Sequence, residues 1–181
     1  MEAVHHRRGP VVAYRRAMSE TPVLLAAIEP LAFLVGTWRG EGRGLYPTID
    51  SFSYNEEIEF WHIGKPFLGY HQRTEHVETG LPLHTESGFW RVASPPDAPG
   101  AVVVEATITQ PTGVCEVLVG TLVDQRVDLQ AIEVVRTPTA KEVTAVERVI
   151  TVVGDELRYE VGMAAVGHEL LPHLEAVLHR V

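Results

Sequence analysis

Residues 51–62 alternate two sets of side chains. Phe52, Tyr54, Glu56, Ile58 and Phe60 form one set, and Ser53, Asn55, Glu57, Glu59 and Trp61 form the other. A period of two marks a β-strand with a different environment on each face. Similar strand signals continue along the chain from Val35 onward. Lys65-Pro66 turns into a strand over 67–77, and Thr79-Gly80-Leu81-Pro82 turns into one over 83–92. The clearest loop is 94–100, SPPDAPG. Strands are expected next over 101–108, 114–123, 127–135, 143–153 and 157–165, with a final segment over 170–181. Gly113, Asp124-Gln125, Thr137-Pro138 and Gly154-Asp155 mark the turns between them.

The stretch Gly36-Thr37-Trp38-Arg39-Gly40-Glu41-Gly42 refines this pattern. In an extended strand Gly36, Trp38 and Gly40 share one face. Trp38 then packs inward while the glycines let a neighbouring backbone approach or the strand bend. Such a strand opens a small, strongly curved barrel, which either holds one apolar ligand or merely closes. Upstream, the apolar segment 22–34 carries Pro30 and reads as a helical turn or two lidding a barrel end. About ten strands joined in order by short turns predict an all-β fold: a ten-stranded antiparallel up-and-down barrel, with a β-sandwich as the alternative. No helix between strands is long enough for a βαβ unit. Residues 1–20 read as a disordered or loose tail, and residues 21–181 as the barrel domain.

Charge and composition narrow the partners. A formal net charge of −9 argues against nucleic acid. No apolar run reaches the ~18 residues of a membrane span. The Arg-containing N-terminus lacks the apolar core of a signal peptide. The single Cys115 cannot form an internal disulfide, which suits a reducing cytoplasm. The oligomeric state stays open, a homodimer included.

The sequence has no Cys-x-x-Cys, His-Glu-x-x-His, P-loop or Gly-x-Ser-x-Gly, so nucleophilic catalysis has little support. The nine histidines are the best candidates for chemistry. His173, flanked by apolar residues in Leu170-Leu171-Pro172-His173-Leu174, suits a single axial ligand of heme iron, or a satisfied core histidine. His84 opens a polar strand and either lines a pocket or bonds Glu86 or Ser87. Lys141, at the start of Lys141-Glu142-Val143-Thr144, and Thr48, after Tyr46-Pro47, either reach a ligand carboxylate or face water. His5-His6, His168 and His179 read as exposed tail, turn and terminal residues.

Together these motifs resemble the nitrobindin family. They are Gly36-Thr37-Trp38-Arg39-Gly40-Glu41-Gly42, Tyr46-Pro47-Thr48-Ile49, Gly64-Lys65-Pro66, His84-Thr85-Glu86-Ser87-Gly88 and Pro172-His173-Leu174, in that order from Leu31 to the C-terminus. The resemblance implies a ten-stranded barrel similar to fatty-acid-binding proteins that holds heme b at its open end. It further implies a mainly ferric, five-coordinate iron bound by His173, with Thr48, Lys141 and His84 as heme contacts. The activity it implies is nitric oxide binding and isomerisation of peroxynitrite to nitrate, which needs no acid–base pair. The segment Gly167-His168-Glu169-Leu170 departs from the commoner Gly-Gln-Pro-Leu and brings His168 near the site. The rival readings are an iron-free lipocalin-like carrier of an apolar ligand and an interaction module with no ligand.

Overall fold

A computed structural model describes residues 22–46, 49–93 and 100–181. The expected tail over 1–20, Thr48 and the loop over 94–99 lie outside the described residues. The strands are β1 (Gly36–Tyr46), β2 (Ile49–Trp61), β3 (Leu68–His76), β4 (Pro82–Val92), β5 (Val102–Thr109), β6 (Val114–Val123), β7 (Arg126–Arg136), β8 (Val143–Val153), β9 (Glu156–Ala165) and β10 (Leu171–Arg180). They form a closed barrel in which chain neighbours are sheet neighbours and β1 pairs antiparallel with β10. That closure decides for the barrel over the sandwich. One boundary differs from expectation. Lys141 does not open β8, because the Thr137–Ala140 turn, closed by Ala140 N–H donating to Thr137 at 3.0 Å, leaves it exposed in the loop before Val143.

The glycines of β1 make the closure sterically feasible. A Cβ on Gly40 would collide with the Val177 carbonyl oxygen and crowd the Leu178 Cα of β10, so glycine is what lets the two backbones meet. A Cβ on Gly42 would strike the Tyr54 ring, which uses that space.

The two barrel ends differ. A 3-10 helix, Ala26–Leu34, plugs the end where β1 begins and β10 finishes, burying Ile28, Leu31 and Leu34. The indole N–H of Trp38 donates to the Leu34 carbonyl at 2.8 Å. Arg180 lies 4.0 Å over the Trp38 ring and donates to the carbonyls of Phe33, at 2.8 Å, and Val35. At the other end, the mouth, Tyr46, Val77, Leu81, Val166, Leu170 and Leu171 are all exposed. The wall also loosens there: the β7–β8 ladder runs from Arg126↔Thr151 to Gln130↔Glu147 only.

Candidate functional site

Two irregularities place the key imidazole. The β9–β10 register shifts between Pro172 and Leu174, and the β1–β2 register shifts between Gly44 and Tyr46. His173 and Leu45 are the residues between those pairs. A bulge re-aims a side chain that strict alternation would send the other way. His173 is accordingly half-buried at the mouth, its ring hydrogen-bonded to the backbone of Leu45. The Tyr46 ring meets it edge-on, with centroids 4.4 Å apart and planes at 77°. Burial pushes the His173 pKa down to about 4, against the Leu45 hydrogen bond and assisted by the charges of Arg148 and His84. The ring is therefore neutral at physiological pH. One nitrogen donates to the Leu45 carbonyl, and the other keeps its lone pair for a metal.

His84 stands at the same mouth on β4. Its Nε2 lies 3.7 Å from the Glu86 carboxylate, and its backbone N–H donates to the Thr74 hydroxyl at 3.1 Å. Lys141 is exposed in the β7–β8 loop at this end, and His168 is exposed in the β9–β10 turn. The structure thus brings His173 and His84 to one opening with Lys141 at its rim. Thr48 falls outside the described residues.

Beneath the mouth lies a polar layer that the sequence reading did not assign. Arg148 makes paired hydrogen bonds to Glu86, at 2.7 and 2.9 Å, and to Glu116, at 2.9 Å each. Tyr70 donates to Glu86 at 2.7 Å, and Gln110 donates to Glu116 at 2.7 Å. Burial alone would raise the Glu86 pKa, but the Arg148 charge, the His84 ring beside it and hydrogen bonds from Arg148 and Tyr70 hold it down to about 2. Among the described residues, no cation pairs with Glu56. It accepts from Gln72 and from the Tyr159 hydroxyl, at 2.9 and 3.0 Å, and burial pushes its pKa up to about 8. One floor therefore holds an ionised carboxylate and a carboxylic acid.

The signal for this layer was available in the alternation. Glu56 shares the parity of Tyr54, Ile58 and Phe60; Glu116 that of Val114 and Leu118; Arg148 that of Val146 and Ile150. A charged residue within an apolar stripe points inward with it. A concavity of about 540 Å³ lies elsewhere, on the outer wall, among Glu41, Arg43, Arg158, Glu160, Glu175 and Val177. Its lining contains no histidine.

Among the described residues, no group of three or more His, Cys, Asp or Glu could cage a bare metal ion. A metal at His173 must therefore bring its other ligands with it, as an iron in a macrocycle does. A single neutral, oriented imidazole at an apolar-rimmed opening fits that requirement.

The comparisons agree with this geometry. A family model described as a THAP4-like, heme-binding beta-barrel domain matches residues 27–180. Peroxynitrite isomerase 1 of Mycolicibacterium paratuberculosis is 46% identical over 162 residues, 86% of this chain and 94% of that protein. The peroxynitrite isomerase of Nocardia farcinica is 45% identical over 157 residues, 84% of this chain and 90% of that one. The crystal structure of Rv2717c from M. tuberculosis superposes with a TM-score of 0.77 at 43% identity, covering 88% of this chain and 99% of that chain.

Proposed function

We propose that this chain, which belongs to the THAP4-like heme-binding β-barrel family, the nitrobindins, holds heme b at its mouth through His173 and isomerises peroxynitrite to nitrate. Nitric oxide is proposed as a second small ligand of the same site. The observation that carries the reading is His173 itself: neutral, with one ring nitrogen tied to Leu45 and the other without a hydrogen-bond partner among the described residues.

The heme supplies, when bound, a Lewis-acidic iron with an open coordination position. The protein's own contribution is binding and orientation. The His173 bulge and the Leu45 carbonyl fix the ring, the Tyr46 edge braces it, and the charges of Arg148 and His84 help keep it unprotonated. The exposed Leu170 and Leu171 offer apolar surface to a macrocycle. His84 lines the pocket, and Lys141 and Thr48 are assigned to the heme periphery, where a cation and a hydroxyl suit carboxylates. Isomerisation moves no net electrons, so the reading calls for no donor domain.

Stopped-flow mixing of peroxynitrite with heme-loaded and heme-free protein tests the activity. Faster decay and a higher nitrate yield with the loaded protein are expected. Equal values would leave a heme or nitric oxide carrier. Failure to develop a Soret band on heme titration would favour an iron-free carrier of an apolar ligand.

A further inference from the structure

We infer that Tyr46 is the residue of this chain that peroxynitrite marks, by nitration of its ring, and that the mark falls on the group bracing His173. The inference rests on the proposed peroxynitrite chemistry at the mouth, and it concerns a tyrosine whose hydroxyl that chemistry does not use.

The chain has five tyrosines. Tyr14 lies outside the described residues. Tyr54, Tyr70 and Tyr159 are 2%, 3% and 5% exposed. Their hydroxyls are committed: Tyr54 to Tyr159 at 2.8 Å, Tyr70 to Glu86 at 2.7 Å, and Tyr159 to Glu56 as well. Tyr46 differs on each count. It is 37% exposed, its hydroxyl has no hydrogen-bond partner among the described residues, and its ring touches that of His173. A reactive species formed or released at the mouth meets this phenol before the sealed ones. The Tyr46 ring also stacks on Phe52, at 5.8 Å and 17°, and Phe52 lies 6.2 Å from Tyr54. The third ring in that column is an interior tyrosine whose hydroxyl is already hydrogen-bonded.

The chemistry balances without another reagent. Peroxynitrous acid is both oxidant and nitro donor: ArH + HOONO → ArNO₂ + H₂O. A ring C–H bond beside the hydroxyl and the peroxo O–O bond break. A C–N bond and a water O–H bond form. The ring is oxidised by two electrons and the peroxide oxygens are reduced. The nitro group enlarges the ring packed against His173, so turnover that leaks nitrating species loosens the imidazole's support.

The experiment treats the full chain, heme-loaded and heme-free, with graded peroxynitrite and quantifies nitrated peptides by mass spectrometry. Nitrate yield is measured in the same samples. Tetranitromethane on the heme-free chain gives a separate reading of phenol accessibility. Tyr46 is expected to carry several times the label of Tyr54, Tyr70 and Tyr159 with both reagents, and more in the loaded than the heme-free chain with peroxynitrite. Tyr46→Phe keeps the aromatic brace and should lose most of the barrel's label without moving it to the interior tyrosines. An unlabelled Tyr46, label concentrated on Tyr14, or label that shifts in full to Tyr54 would each overturn the inference. If nitrate yield is the same with and without heme while Tyr46 is still the marked residue, the isomerase reading falls and the mark stands.

Discussion

At the plugged end, Trp38 sits beneath the 3-10 helix with its N–H bonded to Leu34 and its ring covered by Arg180. At the mouth, one His173 nitrogen has no hydrogen-bond partner among the described residues, and Tyr46, Leu170 and Leu171 stay exposed. The strands are continuous between the two ends, so the difference lies in what closes each one: a helix packed on Trp38 at one, an open imidazole with an apolar rim at the other. Buried apolar surface stabilises the plugged end, where the Trp90 indole N–H and His62 Nδ1 are buried without a hydrogen-bond partner among the described residues. An uncommitted lone pair and apolar surface left in water are what a ligand can use. On the proposed reading, stability and function lie at opposite ends of the same ten strands, with the ionic floor between them.

Removing Trp38 breaks this comparison most severely. Trp38→Ala should lower unfolding free energy by about 3–5 kcal/mol, read from urea denaturation, because it deletes a buried indole and opens a cavity. Molecules that still fold should keep the heme absorption band. His173→Ala should do the reverse: loss of the Soret band of the loaded protein, with β-sheet circular dichroism intact and stability changed by less than about 1 kcal/mol. A Trp38 variant that folds but cannot take up heme would show that the two ends are coupled.

The floor sharpens the comparison. Glu86→Gln strips Arg148 of one of its two buried partners and should cost about 3–5 kcal/mol at neutral pH. In the wild type, the Glu86 contribution is present above the usual carboxylate range and is lost as pH falls from about 4.5 toward about 2. An acid titration of stability in both chains checks the window. Gly40→Val should cost about 1–3 kcal/mol by overpacking the seam between β1 and β10. A fully stable Gly40→Val chain with altered heme binding would make the motif a contact surface instead.

The barrel was legible because ten alternating segments punctuated by Gly, Pro and Asp-Gln turns leave few other arrangements. The glycine motif was legible in part: glycines flanking an inward Trp38 fit close backbone approach or a bend, and Gly40 is where the β10 backbone comes close. Alternation alone did not give the position of His173, because a bulge breaks the parity on which strand reading depends. The family motif singled out the residue as a candidate; the shift between Pro172 and Leu174 accounts for its orientation. Arg148 and Glu116 went unread for another reason. Each is an ordinary charged residue in a strand, and its meaning appears only when four strands bring partners to one point. Lys141 was placed one element too far along because Lys141-Glu142 continues the alternation, while the preceding turn keeps it out of the ladder.

Glu56→Gln should have the smallest effect near pH 5 and gives the finest test of the floor. With its folded pKa raised from 4.5 to about 8, Glu56 is protonated in the native state where an unfolded chain has released the proton. Unfolding between those values therefore sheds a proton, so this group's contribution to stability falls as pH rises through the window. Glutamine mimics the neutral acid. It can accept from Gln72 and Tyr159 and still donate toward a hydroxyl. Near pH 5 the variant should lie within about 1 kcal/mol of wild type. As pH climbs toward 8 and beyond, the wild type should lose stability relative to the variant. Thermal melts of both chains across pH 5–9 read the difference. If it stays constant with pH, Glu56 is ionised throughout, and the floor beneath His173 carries one more negative charge than its hydrogen bonds imply.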